Sequence, residues 1–269
     1  MSMRFAHITL AVDEGVATLT LNMPARLNAL SESLQSEVIQ ALDSVAQDTS
    51  VRALRLTAAG RAFCVGADLS GLGADDAGGR SLGQHTADSM LSVSNPLILA
   101  VRALPVPVLV ALNGAAAGAG AGLALAGDVL IAARSAYFYL PFIPKLGIVP
   151  DLGVTWFLPR LVGRSRAMAL SLLGDRLSAE QAAQWGLVWA CVDDAALEAD
   201  SMALARRLAA LPAHGVVEAR AAYDHSERSN LAEQLHYEAS RQRELLDRPT
   251  FAEGVQAFLH KREPQFSGR

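Results

Sequence analysis

Residues 106–133 read VPVLVALNGAAAGAGAGLALAGDVLIAA. They fall mostly within a run of 25 residues, Ala103 to Gly127, that carries no charge. Length alone would let such a run cross a bilayer. Its composition argues otherwise, because nine Ala, five Gly, two Pro and one Asn leave only eight strongly apolar residues. Pro105, Pro107 and the Asn113-Gly114 pair break the run, and backbone opened at such breaks would have no partner in lipid. The segment therefore reads as a buried strand over Val106–Leu112, a turn over Asn113–Gly118 and a helix of small residues over Gly120–Gly127. A second strand follows over Asp128–Ala133. Strand, helix and strand in succession place the chain in the α/β class.

The pattern extends to both sides. Ile8–Val12 and Val16–Leu21 read as strands flanking the turn signal Asp13-Glu14-Gly15. Leu30, Leu34, Val38, Leu42 and Val45 recur at helical spacing, and Val51–Thr57 reads as a further strand. RAFCVGADL, residues 61–69, reads as a loop, and Gly71–Gln84 as a mobile Gly- and Asp-rich one. Beyond about residue 160 the pattern turns helical. Ser178 with Gln181 suggests a capping box, Ala195–Leu211 has helical composition, and Leu231 and Leu235 lie one turn apart. Phe251, Val255, Phe258 and Leu259 share a face of a last helix. No low-complexity linker divides the chain. A fold boundary in the 190s separates a core, residues 1–195, from a helical region, residues 196–269.

Composition excludes whole classes of function. With 269 residues, 51% hydrophobic and 19% charged, the chain is too apolar to be disordered. A net charge of -4 supplies no basic face for nucleic acid. Two cysteines make neither a disulfide framework nor a zinc site, and six scattered histidines show no ligand spacing. No metal is expected, and a reducing cytoplasm is the expected location. The opening MSMRFAHITLAV has no apolar core of a secretion signal, so no leader is expected.

Three segments offer chemistry. Gly118-Ala-Gly-Ala-Gly122 is spaced G-x-G-x-G, not the G-x-G-x-x-G of a dinucleotide fingerprint. Its small residues either let a helix pack closely or leave bare N–H groups facing an oxyanion. RAFCVGADL could offer a second N–H from a strand end, or be a plain loop in which Cys64 packs as a small hydrophobe. Asp151, in LGIVPDLG, either caps a helix over Leu152–Leu161 or is buried among Ile148, Val149, Trp156 and Phe157. The second case would raise its pKa toward that of a useful base. Asp68 and Asp128 read as holding loops and caps.

Taken in order, LNMPARLNAL (21–30), RAFCVGADL (61–69), ALNGAAAGAGAGLALAGD (111–128), LGIVPDLGVTWFLPRLVGRSRAM (146–168), LSAEQAAQWGLV (177–188) and EGVQAFLHKREPQF (253–266) resemble the crotonase, or enoyl-CoA hydratase/isomerase, superfamily. The resemblance implies a spiral of ββα units with a helical C-terminal region assembling as trimers or dimers of trimers. It implies an acyl-CoA thioester as substrate, coenzyme A being part of that substrate and no separate cofactor being needed. Ala67 and Ala119 would give the two backbone N–H groups of an oxyanion hole, with Gly118 and Gly120 flanking the second. Ala25, Arg26 and Leu27 would lie near the adenine and phosphates, Val65, Asp68 and Leu69 along the pantetheine path. Phe258 and Lys261 would reach a neighbouring subunit's coenzyme A.

Departures from the pattern bear on the reaction. The two Glu residues with which hydratases of this family handle water fall on Gly122 and Ile143, and neither can move a proton. Asp151 falls where other members place a catalytic Asp. The run around it is most similar to ring-1,2-epoxyphenylacetyl-CoA isomerases of phenylacetate degradation, except that Val154 stands where relatives commonly have Gly. An isomerase is therefore expected, with Asp151 as its single acid–base. A hydratase, a hydrolase or dehalogenase with Asp151 as nucleophile, a non-catalytic acyl-CoA binder, and more remotely a nicotinamide oxidoreductase built on Gly118–Gly122 remain as alternatives.

Overall fold

The computed structural model describes residues 4–68 and 81–266. Strands β1 (Ile8–Asp13) and β2 (Val16–Leu21) pair antiparallel across Glu14-Gly15. Both loop residues take positive φ, the left-handed pair that a two-residue hairpin needs to match strand twist. Helix α1 (Glu32–Gln47) starts at Ser31, whose hydroxyl accepts the Leu34 N–H, and buries Leu34, Val38, Leu42 and Val45. Each such side chain contributes about 2 kcal/mol of burial.

Strands then alternate between two sheets. β3 (Ala53–Ala58) and β4 (Ala62–Cys64) are followed by α2 (Leu82–Ser89), a π-helical turn at Met90–Ser94 and α3 (Asn95–Ala103). β5 (Val108–Leu112), β6 (Ala115–Ala117) and α4 (Ala119–Leu125) repeat the unit. So do β7 (Val129–Ala133) and β8 (Tyr137–Tyr139) with α5 (Val154–Val162) and α6 (Arg164–Leu173). β9 (Leu177–Ser178), α7 (Ala179–Gln184) and β10 (Ala190–Val192) complete the sheets. The larger sheet runs β1-β2-β3-β5-β7-β10 and the smaller β4-β6-β8-β9. In each unit the first strand joins the larger sheet and the second crosses to the smaller, which is a spiral of ββα turns.

Two expectations are corrected here. The turn expected over Asn113–Gly118 contains β6, and the loop expected over 61–69 contains β4. Three-residue strands of Ala, Phe and Cys are too short to show alternation. Of the expected mobile loop at Gly71–Gln84, residues 71–80 lie outside the described residues, and Leu82 to Gln84 open α2 with a capping box from Ser81. No helix among the described residues is long and apolar enough to cross a membrane.

The C-terminal helices are α8 (Leu197–Ala209), α9 (Gly215–Ser226), α10 (Leu231–Leu245) and α11 (Pro249–Leu259). α8 lies on the larger sheet, where the buried Arg55 of β3 donates to Ser201 (2.9 Å) and to Glu198 (2.9 Å). Arg220 of α9 donates to Asp128 (2.7 Å) and to the carbonyls of Arg102 and Val106. Asp128 in turn accepts the Val108 N–H at 2.7 Å, as its expected loop-holding role requires. Removing Arg220 leaves the part-buried Asp128, among the described residues, with only the Val108 N–H and a longer contact to Arg102 at 3.8 Å. Arg220→Ala is therefore expected to cost about 3 kcal/mol, measured by urea denaturation.

Candidate active site

Three loops converge at the ends of the smaller sheet and α1. The first, Met23–Leu30, is stapled by the fully buried Asn28, whose Oδ1 accepts the Met23 N–H. Its Nδ2 donates to the carbonyls of Ala59 and Ala62. This fixes Leu30 beside the second loop, where the Leu30 N–H donates to the Gly66 carbonyl at 2.8 Å and Leu30 bridges Ala67. The third loop is the turn into α4, where the Gly118 carbonyl accepts the Ala121 N–H at 3.0 Å.

Glycine makes the second and third loops touch. Gly66 has φ +88°, and a Cβ there would lie 2.9 Å from both the Ala117 carbonyl oxygen and the Ala119 nitrogen. A Cβ on Gly120 would lie 2.2 Å from the Cys64 carbonyl oxygen. The close packing that the sequence offered as one reading of these small residues is therefore present. Peptide groups are planar and trans here, so N–H points opposite to C=O. With the Gly66 and Gly118 carbonyls already held by backbone donors, the Ala67 and Ala119 N–H groups face away from those bonds. Neither has an acceptor among the described residues. Donation to a peptide's carbonyl also polarises its N–H.

Ala67 and Ala119 line a cleft of about 460 Å³ together with Arg26, Asp68 and Asp151. The Asp151 Oδ1 is buried without a hydrogen-bond partner among the described residues. Burial pushes its carboxyl above the ordinary carboxylate range, an effect only partly offset by its own backbone N–H. The expected causes need correction. Ile148 and Val149 are 51% and 72% exposed and do not line its cleft, whereas Leu30, Met90 and Leu152 are the apolar groups sharing it. Nor does Asp151 cap the next helix, since Gly153 takes that place and α5 starts at Val154. Leu152 (φ 44°) and Gly153 (φ 81°) are both left-handed, a tight turn that frees the carboxylate from capping.

The position of Gly122 is closed. A Cβ there would lie 2.3 Å from the Leu152 carbonyl oxygen, so the turn carrying Asp151 fills the space where a side chain would begin. Val154 is 1% exposed and packs in the core, not on the cleft. Cys64 is buried and its thiol is pushed up to about 12 by that burial, which leaves it inert as a nucleophile.

The remaining expected site residues divide between the cleft and its surroundings. Arg26 pairs with Asp68 at its mouth, while Ala25, Leu27 and Val65 are close in the chain but do not line it. Gly118 and Gly120, next to Ala119 in the chain, do not line it, and Leu69 falls outside the described residues. Phe258, 84% exposed, lies in the last turn of α11 and Lys261 just beyond that helix, and neither lines the cleft. The far wall, which motif reading missed, comes from Ser31, Glu32 and Gln35 of the α1 start and His85, Ser89 and Ser94 of the segment after the second loop. A hydrogen bond from Ser89 to Glu32 (2.8 Å) ties the two together. A larger groove, about 630 Å³ between α5, α9 and Trp189, holds none of the expected site residues.

Residues 11–269 match the enoyl-CoA hydratase/isomerase family. The 1,2-epoxyphenylacetyl-CoA isomerase of Escherichia coli K12 is 47% identical over 261 residues, covering 96% of this chain and 97% of that one. The trans-2-decenoyl-(acyl-carrier-protein) isomerase of Streptococcus mutans is 32% identical over 270 residues, covering 99% and 100%. Among solved structures, an enoyl-CoA hydratase from Polaromonas sp. JS666 superposes with a TM-score of 0.89 at 30% identity, covering 97% of this chain and 99% of that one.

Proposed function

The chain belongs to the enoyl-CoA hydratase/isomerase family and has the crotonase-type α/β fold, and from that premise we propose that it is an acyl-CoA isomerase with Asp151 as its one acid–base. The acyl-CoA thioester oxygen sits between the Ala67 and Ala119 N–H groups. Asp151 removes a proton from the α-carbon, and the electron pair spreads onto the thioester oxygen and across the neighbouring double bond. The same carboxyl then gives its proton to the γ-carbon, so a 3-enoyl-CoA becomes a 2-enoyl-CoA with no water consumed. A ring epoxide of a phenylacetyl-CoA would be opened by the same enolate stabilisation and proton relay.

One observation carries this reading: a buried carboxyl oxygen shares a cleft with two backbone N–H groups, and none of the three has a hydrogen-bond partner among the described residues. Burial keeps the carboxylate a stronger base than it would be in water. The closed position at Gly122 supports a shuttle over a hydratase, because water addition in this family uses a second carboxylate. Assembly as trimers or dimers of trimers through residues 196–269, with Phe258 and Lys261 reaching a neighbour's coenzyme A, is part of the proposal, as is a cytoplasmic location. The exposed apolar face of α10 and α11 supports that assembly. In crystals soaked with phenylacetyl-CoA, the thioester oxygen is expected about 2.7–3.1 Å from both nitrogens. An oxygen bound elsewhere overturns the reading.

A further inference from the structure

We infer that Gln35, a residue of α1 that no motif singles out, is a positioning residue for the oxyanion donor Ala67. The inference rests on the oxyanion reading above. Gln35 is only 4% exposed, and its side chain folds back along the first turn of α1 so that Nε2 donates to the Leu30 carbonyl at 3.1 Å. That carbonyl can only accept, so the amide orientation is settled by chemistry: the nitrogen must face Leu30. Leu30 then holds the second loop, its N–H donating to the Gly66 carbonyl at 2.8 Å and its backbone bridging Ala67. The Gly66 carbonyl and the Ala67 N–H belong to one planar peptide. The direction of the N–H is therefore set by the bond on its far side, and a tilt of Leu30 tilts the donor.

The other end of Gln35 points the same way. Its Oε1 is buried with no hydrogen-bond partner among the described residues. An apolar residue of the same length would fill the space and remove the cost of that acceptor, but would give up the donor on the Leu30 carbonyl. Glutamine here keeps a donor on Leu30 at the expense of an orphaned oxygen. The anchors of Ala67 are thus unlike those of Ala119, whose peptide is held within its own helix turn by the Ala121 N–H. The Leu30 backbone that anchors the Ala67 peptide is braced by a side chain from another element, and Gln35 is that brace.

Gln35→Met keeps the length and volume and removes both the donor and the orphaned acceptor. The melting temperature is expected to stay within about 3 °C of the parent, the two changes opposing each other. Turnover of a 3-enoyl-CoA is expected to fall about tenfold with KM changed by less than about twofold, as for an interaction that matters mainly in the transition state. The direct readout is the thioester carbonyl stretch of bound phenylacetyl-CoA, by Raman difference spectroscopy. The parent enzyme should shift it to lower frequency and Gln35→Met should shift it less. Gln35→Leu serves as the second variant should Met not fold. A parent enzyme that leaves the frequency unshifted would overturn the oxyanion reading itself. A parent shift that the variant reproduces in full, with unchanged turnover, would overturn the role of Gln35 alone, as would a fall in melting temperature with no spectral change.

Discussion

Asp151→Asn is expected to lower kcat for 3-enoyl-CoA isomerisation by about 10³-fold, within the range lost when a positioned acid–base is removed. KM should change little, because the amide keeps the shape of the carboxyl. The pH profiles should separate the two proteins. Burial raises the folded-state pKa of Asp151, so parent activity should fall as pH drops through a value above the ordinary carboxylate range. The residual activity of the variant should lack that limb. Stability should move the opposite way. With its folded pKa above its unfolded one, Asp151 favours the folded state fully only below the unfolded value. That contribution is lost as pH rises through the folded pKa, where the buried carboxylate becomes charged. The variant should therefore melt no lower than the parent at neutral pH. A folded Asp151→Asn enzyme with parental turnover would remove Asp151 from the mechanism.

Gly122→Glu tests the other half of the chemistry. It would put a carboxylate at the position onto which the resemblance places one of the hydratases' two Glu residues, and it is expected to yield no hydratase. The new Cβ would lie 2.3 Å from the Leu152 carbonyl oxygen and 3.0 Å from its Cβ. These are backbone and near-backbone atoms of the turn that holds Asp151, and they cannot rotate away. Overpacking and a buried, unpaired charge together should cost at least about 4 kcal/mol, a drop of roughly 10 °C in melting temperature. A stable Gly122→Glu protein that hydrates a 2-enoyl-CoA would show that this turn can retreat, and that the loss of the carboxylate alone separates the two activities.

How much of this was legible beforehand depends on the length scale of the signal. The β1–β2 hairpin and α1 declared themselves through alternation, turn chemistry and helical spacing, and the small-residue helix through its charge-free composition. β4 and β6 did not, because three residues carry no period. Ala67 and Ala119 were reached through family resemblance, since an N–H donor asks nothing of its own side chain. What local reading could find were the glycines beside them. Asp151 was legible as a singular carboxylate among apolar residues. Its release from capping was not, because that depends on Leu152 adopting a left-handed conformation that a leucine seldom takes. The far wall is the clearest blind spot. Gln35 and His85 lie 50 positions apart in the chain and share a cleft only because β3, β4 and the following helix bring them together. A lone buried glutamine on an amphipathic helix gives no sequence signal at all.

The central claim is that Asp151 moves a proton between two carbons of a thioester-bound acyl group without adding water. Incubating the enzyme with a 3-enoyl-CoA in oxygen-18-labelled water and following the products by mass spectrometry addresses it directly. The account predicts 2-enoyl-CoA carrying no label, formed without free coenzyme A. Labelled 3-hydroxyacyl-CoA, or labelled free acid released with coenzyme A, would contradict it.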